Sequence, residues 1–250
     1  MMHNVDQLSI IEAFNSLQGE GRNIGMPCTF LRLAYCNLRC VWCDTKYSWD
    51  WQHYDPATEV KDLDINHVAE LITQWQNENL VISGGEPLLQ QYGIIRLLDY
   101  LSESLERSSL ATHIVYPFKH VEVETAGTVL PSESLLSRIQ LFNVSPKLEN
   151  SGNSQAKRYK EAVLRKFAEL AGYNKAVFKF VVTSSADYAE IDAMVDTLSI
   201  PHFAVYIMPE GITEAALTEH LREVAEGAIK RGYRVTTRLH VLLFGNKRGV

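Results

Sequence analysis

Short apolar runs alternate along most of the chain with segments whose apolar residues recur at helical spacing. The runs are rich in β-branched and aromatic residues, as buried strands are, and cover residues 8–14, 28–33, 80–83, 120–123, 141–144, 176–182 and 203–208. The helical patterns cover residues 65–75, 88–105, 154–170, 187–198 and 213–231, and Asp64 is the expected cap of the first. Strands that alternate with helices predict a parallel sheet with right-handed crossovers.

Polar or glycine-containing motifs follow five of these runs directly. They lie at residues 36–43, 84–87, 124–125, 145–147 and 209–211. The carboxyl ends of parallel strands share one face of a barrel, and ligands bind on that face. The six runs from residue 28 onward are too few for a complete eight-stranded barrel. We therefore expect one α/β domain over residues 1–250, an open, partial parallel β/α barrel of about six strands.

An open barrel leaves an edge that needs a cover. The apolar segment at residues 241–244 could supply it, and so could a partner subunit. Residues 151–154 are the expected flexible insertion, whereas residues 107–119 have no clear pattern and suggest no function.

Composition narrows the class of protein. With 46% hydrophobic residues in 250, the chain can bury one good-sized core. A formal net charge of −6 without a basic run argues against nucleic acid or an anionic membrane as the main partner. No apolar run approaches the roughly 20 residues of a membrane span, and the first six residues lack signal-peptide features. We expect reduced cysteines and a cytoplasmic location.

Three of the four cysteines lie within residues 36–43, in the sequence Cys-Asn-Leu-Arg-Cys-Val-Trp-Cys. Thiolates are soft ligands, so Cys36, Cys40 and Cys43 could hold three corners of one inorganic centre. A cubane iron–sulfur cluster normally takes four cysteines, and with three its last iron would keep an open position. Two other interpretations remain: a structural zinc site with Cys28 as the fourth ligand, or buried cysteines without a ligand role.

Three other polar features each have two interpretations. Arg32 interrupts an apolar strand, either as a solvated edge charge or as a bidentate partner for a carboxylate. Glu86 follows two glycines and could present its carboxylate to a ligand cation, or the segment could be a plain strand–helix turn. The glycine-rich loop at residues 18–21 could approach a flat ligand closely or form an ordinary turn.

The cysteine spacing resembles the cluster loop of the radical S-adenosylmethionine superfamily. Further motifs narrow the resemblance: Ser-Leu-Gln-Gly-Glu-Gly at residues 16–21, Cys-Asp-Thr at 43–45, and Phe-Gly-Asn-Lys-Arg-Gly-Val at 244–250. Together they are similar to the 7-carboxy-7-deazaguanine synthase family of deazapurine biosynthesis, and the similarity covers nearly the whole chain. The resemblance implies a radical S-adenosylmethionine type of partial barrel. It also implies a 4Fe–4S cluster, S-adenosylmethionine and Mg²⁺ as cofactors.

The resemblance further implies a reaction and partners. The substrate would be 6-carboxy-5,6,7,8-tetrahydropterin, and a radical from S-adenosylmethionine would remove hydrogen from its carboxylate-bearing carbon. The products would be 7-carboxy-7-deazaguanine and ammonia. A homodimer and a flavodoxin-like electron donor are expected. A glycyl-radical activating enzyme is the alternative, although such an enzyme is not expected to carry the segment at 18–21 or the tail at 245–250.

Residue roles follow from the same resemblance, position by position. Cys36, Cys40 and Cys43 match the cluster ligands. The positions that match S-adenosylmethionine contacts are Trp42, Cys43, Asp44, Gly85, Glu86, Ser145, Pro146 and Lys147, with Met208, Pro209, Glu210 and Gly211 near the adenine. The substrate positions are Leu17, Gln18, Gly19, Glu20, Arg32 and Ser83. Thr45 matches a magnesium-binding position, and its other interpretation is a turn hydroxyl.

Overall fold

The computed structural model describes residues 6–108 and 118–250. Most of the segment at 107–119, to which the sequence assigns no function, lies outside this part of the chain, as do the first five residues. The prediction of a single domain over residues 1–250 includes these residues and stays a prediction. Within the described ranges, no helix combines the length and the apolar character needed to cross a membrane.

Nine strands in the described part of the chain form one sheet. They are β1 (Gln7–Leu17), β2 (Pro27–Leu33), β3 (Lys61–Asp64), β4 (Asn79–Gly84), β5 (His120–Thr125), β6 (Leu141–Val144), β7 (Ala176–Val182), β8 (Val205–Pro209) and β9 (Arg234–Val235). Their order is β3-β1-β2-β4-β5-β6-β7-β8-β9. Neighbours from β2 to β9 pair in parallel, whereas β1 is antiparallel to both β2 and β3.

The six longer parallel strands are those that the sequence predicts. Because β3 and β9 are the two edges and do not pair with each other, the sheet stays open. The prediction of an open, partial parallel β/α barrel is therefore confirmed. The sequence pattern did not identify β3 and β9, and it placed the end of β1 three residues early.

The helices of the described chain are α1 (Pro56–Glu59), α2 (Ile65–Thr73), α3 (Gln91–Ser108), α4 (Glu133–Arg138), α5 (Gln155–Arg158), α6 (Glu161–Gly172), α7 (Tyr188–Leu198), α8 (Glu214–Arg231) and α9 (Leu239–Phe244). Those that contribute to the main core, α2, α3, α4, α6, α7 and α8, cover the outer face of the sheet. Two predictions need correction. The helix expected over 154–170 is divided into α5 and α6. Asp64 holds the cap position of α2 but makes no capping bond, because its carboxylate accepts from Gln7 Nε2 at 2.9 Å.

The pleat of the strands separates an apolar outer face from a polar interior. In β7, Phe178 and Phe180 pack in the main core under the helices, whereas Lys179 between them points to the other side. Glu122 and Glu124 of β5 alternate in the same way with core valines. Since side chains alternate along a strand, an apolar outer face and charged inner positions can share one segment. The charged side chains of these strands therefore point into the interior of the barrel.

Candidate active site

A cavity opens at the carboxyl ends of the parallel strands, on the face that the sequence predicts. Its walls come from the loop after β1, the cysteine loop after β2, and the segments after β4, β5, β6 and β8. The predicted site residues that line it are Leu17, Gln18, Gly19, Glu20, Arg32, Cys36, Cys40, Trp42, Cys43, Asp44, Thr45, Ser83, Gly85, Ser145, Lys147, Met208, Pro209, Glu210 and Gly211. Glu86 and Pro146 are the two predicted residues that do not line it.

The cysteine loop is held in place by a segment more than a hundred residues away in the sequence. The backbone N–H of Val41 donates to the carbonyl of Ser151 at 3.0 Å, and that of Arg39 donates to Asn153 Oδ1 at 2.9 Å. Ser151 is fully buried. The expectation of a flexible insertion at 151–154 is therefore wrong, because this segment is packed against the cysteine loop.

Each of the three cysteine sulfurs in the cavity accepts a hydrogen bond from an N–H group. Leu38 N donates to Cys36 Sγ at 3.4 Å, Asn153 Nδ2 to Cys40 Sγ at 3.3 Å, and Trp49 Nε1 to Cys43 Sγ at 3.3 Å. Burial raises the pKa of Cys36 to about 12 and also raises that of Cys40. The N–H groups that face the three sulfurs would stabilise the thiolate form that a bound metal centre requires.

Cys28 lies apart from this group, as expected of a core cysteine. It is fully buried among Phe14, Phe30 and Val81, and burial raises its pKa to about 12. In the ranges that the structure describes, no three His, Cys, Asp or Glu side chains are placed to bind one metal ion together. A cubane needs its three sulfurs farther apart than a single zinc ion does, because each sulfur binds a different iron. Because Cys28 packs in a separate core cluster, it is not placed to serve as a fourth ligand beside the three cysteines that line the cavity.

Two glycines bring the end of β4 against the cysteine loop. A Cβ on Gly84, whose φ is +145°, would lie 2.3 Å from the carbonyl oxygen of Leu33. A Cβ on Gly85 would lie 2.0 Å from the carbonyl oxygen of Tyr35. Such distances exclude any side chain, so the close approach depends on glycine at both positions.

Glu86 has a different place from the predicted one. Its carboxylate is fully buried and accepts hydrogen bonds from Thr125 Oγ1 at 2.8 Å, Ala126 N at 2.8 Å and Leu88 N at 3.1 Å. Burial raises the pKa of this carboxyl, although the hydrogen bonds oppose the rise. Both oxygens accept from protein groups and Glu86 lies outside the cavity lining, so its predicted contact with a ligand cation stays a prediction. In this structure Glu86 joins the segments after β4 and β5.

An ionic network that the sequence analysis did not identify closes one side of the cavity. Glu20 pairs with Lys179 and with Arg238, and Arg238 pairs in turn with Asp44. Arg238 Nη1 also donates to the carbonyl of Gly211 at 2.7 Å. Burial alone would raise the pKa of Glu20, but Lys179 and Arg238 hold it far below its usual range. Glu20 is therefore a carboxylate at any working pH.

The sequence contains a signal that could have identified Lys179 as a site residue, but it contains none for Arg238. Lys179 is the only charged residue in the apolar run of β7, and this interruption is a usable signal. Arg238 lies in a segment without a motif, between β9 and α9. Its partner Glu20 is 218 residues away, so no local pattern could have indicated it.

Arg32 lines the cavity and is also paired within the protein. Its Nε donates to Glu12 Oε1 at 2.9 Å, and Glu12 also accepts from Tyr47 and from Arg248. Burial would lower the pKa of Arg32, but nearby acidic groups raise it above its usual range. A ligand carboxylate would therefore meet a permanently charged Arg32 side chain. It would have to bind the two terminal nitrogens of the Arg32 guanidinium.

Side-chain oxygens of β4 and β5 line the cavity beside the glycine-rich loop. Gln18 Nε2 donates to Glu124 Oε1 at 3.3 Å, and Ser83 Oγ donates to Glu124 Oε2 at 2.7 Å. Glu124 was not among the predicted site residues, although its motif was noted. Thr45 lies beside the cysteines, with its Oγ1 3.6 Å from Cys43 Sγ.

Comparisons with known proteins agree with this geometry. Residues 17–166 match the family model of the 4Fe-4S single cluster domain. The 7-carboxy-7-deazaguanine synthase of Pyrobaculum aerophilum is 36% identical over 249 residues, which cover 99% of this chain and 100% of that protein. The protein of the same name from Rhodopirellula baltica is 35% identical over 97% of this chain and 88% of its own.

The fold has a solved counterpart. The crystal structure of QueE from Escherichia coli superposes with a TM-score of 0.64 at 24% identity, covering 94% of this chain and 95% of that one. This likeness supports the fold. The relatives carry the name of a synthase, so a glycyl-radical activating enzyme is not favoured.

Proposed function

The chain belongs to the 7-carboxy-7-deazaguanine synthase family, and we propose that it converts 6-carboxy-5,6,7,8-tetrahydropterin to 7-carboxy-7-deazaguanine and ammonia. It is a radical S-adenosylmethionine enzyme of 7-deazapurine biosynthesis. The observation that carries the proposal is the meeting, in one cavity, of three N–H-bonded cysteines, Arg32 and the glycine-rich loop.

Cys36, Cys40 and Cys43 would hold a 4Fe–4S cluster. The donor set fits because it supplies three soft sulfurs on one cavity wall, with the fourth cysteine packed elsewhere. When bound, such a cluster supplies the electron that cleaves S-adenosylmethionine. The protein's own contribution is to orient the ligands, exclude water and limit what the radical can reach.

S-adenosylmethionine would lie across the floor and the far wall of the cavity. The residues proposed to contact it are Trp42, Cys43, Asp44, Gly85, Ser145, Lys147, Met208, Pro209, Glu210 and Gly211. Lys147 lies 5.4 Å from the centre of the Trp42 ring and donates to Ser145 Oγ at 2.9 Å, which supports a shared role. Glu86 and Pro146 lie outside the lining, and we assign Glu86 the indirect role of fixing the segments that carry these contacts.

The pterin would bind between the glycine-rich loop and Arg32. Leu17, Gln18, Gly19, Glu20 and Ser83 are the other proposed contacts. Arg32 would hold the substrate carboxylate through its terminal nitrogens, which fixes the angle of the ring to the radical. The carboxylates of Glu20 and Glu124 suit the N–H groups along the other edge of a pterin.

We also propose a magnesium ion near Thr45. Magnesium keeps several waters and binds through few protein oxygens, so one hydroxyl can share it with a substrate carboxylate. Thr45 Oγ1 lines the cavity next to Asp44, which supports this position.

Three further proposals concern the oligomeric state, the electron donor and the cellular location of the enzyme. A homodimer is supported by exposed apolar residues on α9, among them Leu243. A small flavodoxin-like protein is the proposed electron donor. A reducing cytoplasm suits four free cysteines of which three must stay available as thiolates.

The reaction is tested with substrate that carries deuterium at its carboxylate-bearing carbon. After anaerobic reconstitution, the enzyme should transfer deuterium into 5′-deoxyadenosine and release ammonia with the deazaguanine product. Arg32→Ala should reduce this transfer far more than it reduces cleavage of S-adenosylmethionine, because it loses substrate orientation and not the cluster. The control is Arg96→Ala, which removes an exposed guanidinium on α3. Wild-type enzyme that cleaves S-adenosylmethionine but never labels 5′-deoxyadenosine would contradict the proposal.

A further inference from the structure

Two side-chain N–H groups from separate parts of the chain reach the cysteine sulfurs. Trp49 belongs to the segment that follows the cysteine loop, and Asn153 lies 113 residues from the cysteine that it contacts. Each donates one N–H group, to Cys43 and to Cys40 respectively. Cys36 receives its hydrogen bond from the backbone of Leu38. Substitution can remove either of these two side-chain N–H groups, and the Thr45 hydroxyl, 3.6 Å from Cys43 Sγ, stays in place as a common background.

The orientation of both donors is fixed by other contacts. Asn153 Oδ1 accepts from the backbone N–H of Arg39, so its amide nitrogen must face the sulfur. Trp49 is only 9% exposed, and the guanidinium of Arg39 lies 5.4 Å from the centre of its ring. Packing of the indole does not by itself require its N–H to point at a sulfur. These arrangements therefore indicate an electrostatic role in addition to packing.

We propose that Trp49 and Asn153 are positioning residues that raise the reduction potential of the centre bound by Cys36, Cys40 and Cys43. The inference rests on the proposed function, since it needs the cluster. An added electron increases the negative charge on the thiolate sulfurs, so an N–H donor stabilises the reduced state more than the oxidised one. The two donors act on different sulfurs, so loss of both should have a larger effect than loss of either one.

The test compares variants that remove the N–H group and keep most of the volume. Trp49→Phe and Asn153→Leu are made singly and together, with Trp51→Phe as the matched control. Trp51 is a near neighbour that meets the Tyr35 ring edge-on at 5.9 Å and makes no hydrogen bond to a sulfur within the described residues. Each protein is reconstituted anaerobically, and its iron, sulfide and reduction potential are measured by a redox titration followed by electron paramagnetic resonance.

We expect about four irons per chain in every protein, as a cubane requires. At the wild-type midpoint potential, each N–H deletion should lower the ratio of reduced to oxidised cluster about threefold to tenfold, the range of a net hydrogen bond. The double variant should show a larger change than either single variant, and Trp51→Phe should match the wild type.

Other results separate this inference from the proposed function. A wild-type protein that takes up no cluster would contradict the proposed function itself. Variants that hold a full cluster at the wild-type potential would contradict only the role of the donors. If both variants lose the cluster while the control keeps it, the two residues are structural and the inference is also wrong. If one variant loses it, the other decides the outcome alone.

Discussion

At the scale of single residues, sequence spacing predicts the cysteine ligands. It does not predict the groups that hold the site residues in position. Three cysteines within eight positions are a local signal, and the structure places all three on one wall. Glu86 was assigned a ligand role from its motif, and its contact with Thr125 on another strand leaves no trace in that motif. Arg238 was missed because its contacts with Glu20 and Asp44 exist only in the folded chain.

Arg238→Gln tests how much the ionic network stabilises the fold. The change leaves the buried carboxylate of Glu20 with its ion pair to Lys179 and removes the ion pair of Asp44. Breaking a buried pair costs about 3–5 kcal/mol, so the free energy of unfolding should fall by that amount in urea at neutral pH.

The matched control is Arg165→Gln, which breaks an exposed pair with Glu161 one helical turn away. Such pairs contribute only about 0.3–0.5 kcal/mol. Equal losses in the two variants would show that the network around Arg238 is no more than a surface ion pair.

At the scale of elements, the period of the apolar pattern predicts strands and helices but not every pairing. The six longer parallel strands were predicted because each is an apolar run. β3 is mostly charged and exposed, and it exists as a strand because its backbone pairs with that of β1. The split between α5 and α6 leaves no mark in the pattern, since Tyr159 and Lys160 interrupt the helix without proline or glycine.

The turn after β4 provides the prediction at this scale. Gly85→Ala places a Cβ within 2.0 Å of the Tyr35 carbonyl oxygen, so the cysteine loop must move away from β4. We expect a loss of about 3 kcal/mol in the free energy of unfolding, together with lower iron content after reconstitution.

Gly172→Ala is the control, because its Cβ meets nothing within 4 Å at the end of α6. Here alanine should be neutral or stabilise by up to about 1 kcal/mol, since it restricts the unfolded chain. Both changes are measured by urea denaturation. Similar behaviour at the two glycines would refute the argument from close approach.

At the scale of the whole molecule, the C-terminal tail of the chain packs across part of its own barrel. Arg248 pairs with Glu12 at 3.0 Å and with Glu59 at 2.8 Å, and it lies 4.0 Å from the centre of the Tyr47 ring. The sequence left open whether the tail or a partner subunit covers the barrel. Local patterns could not decide this, because the contact joins residues 236 positions apart.

The proposed homodimer is tested through the apolar surface that remains on α9. Leu243 is 53% exposed beside Leu242 and Phe244, which are also exposed. Leu243→Glu should shift the protein from dimer to monomer in sedimentation at micromolar concentrations, because a buried charge without a partner is costly. Ile229→Glu on α8 serves as the control. A single 28.3 kDa species for the wild type across this range would rule out the dimer.

The contact between Glu12 and Arg248 also sets an order of events during synthesis. A ribosome adds about 5–20 residues per second, so the 236 residues between the two take roughly 10 to 50 s to translate. Glu12 can pair with Arg32 early, because only 20 positions separate them. The cysteine loop is therefore made long before the tail folds across β1. During this interval Glu12 can hold its pair with Arg32, and the contact with Arg248 is added last.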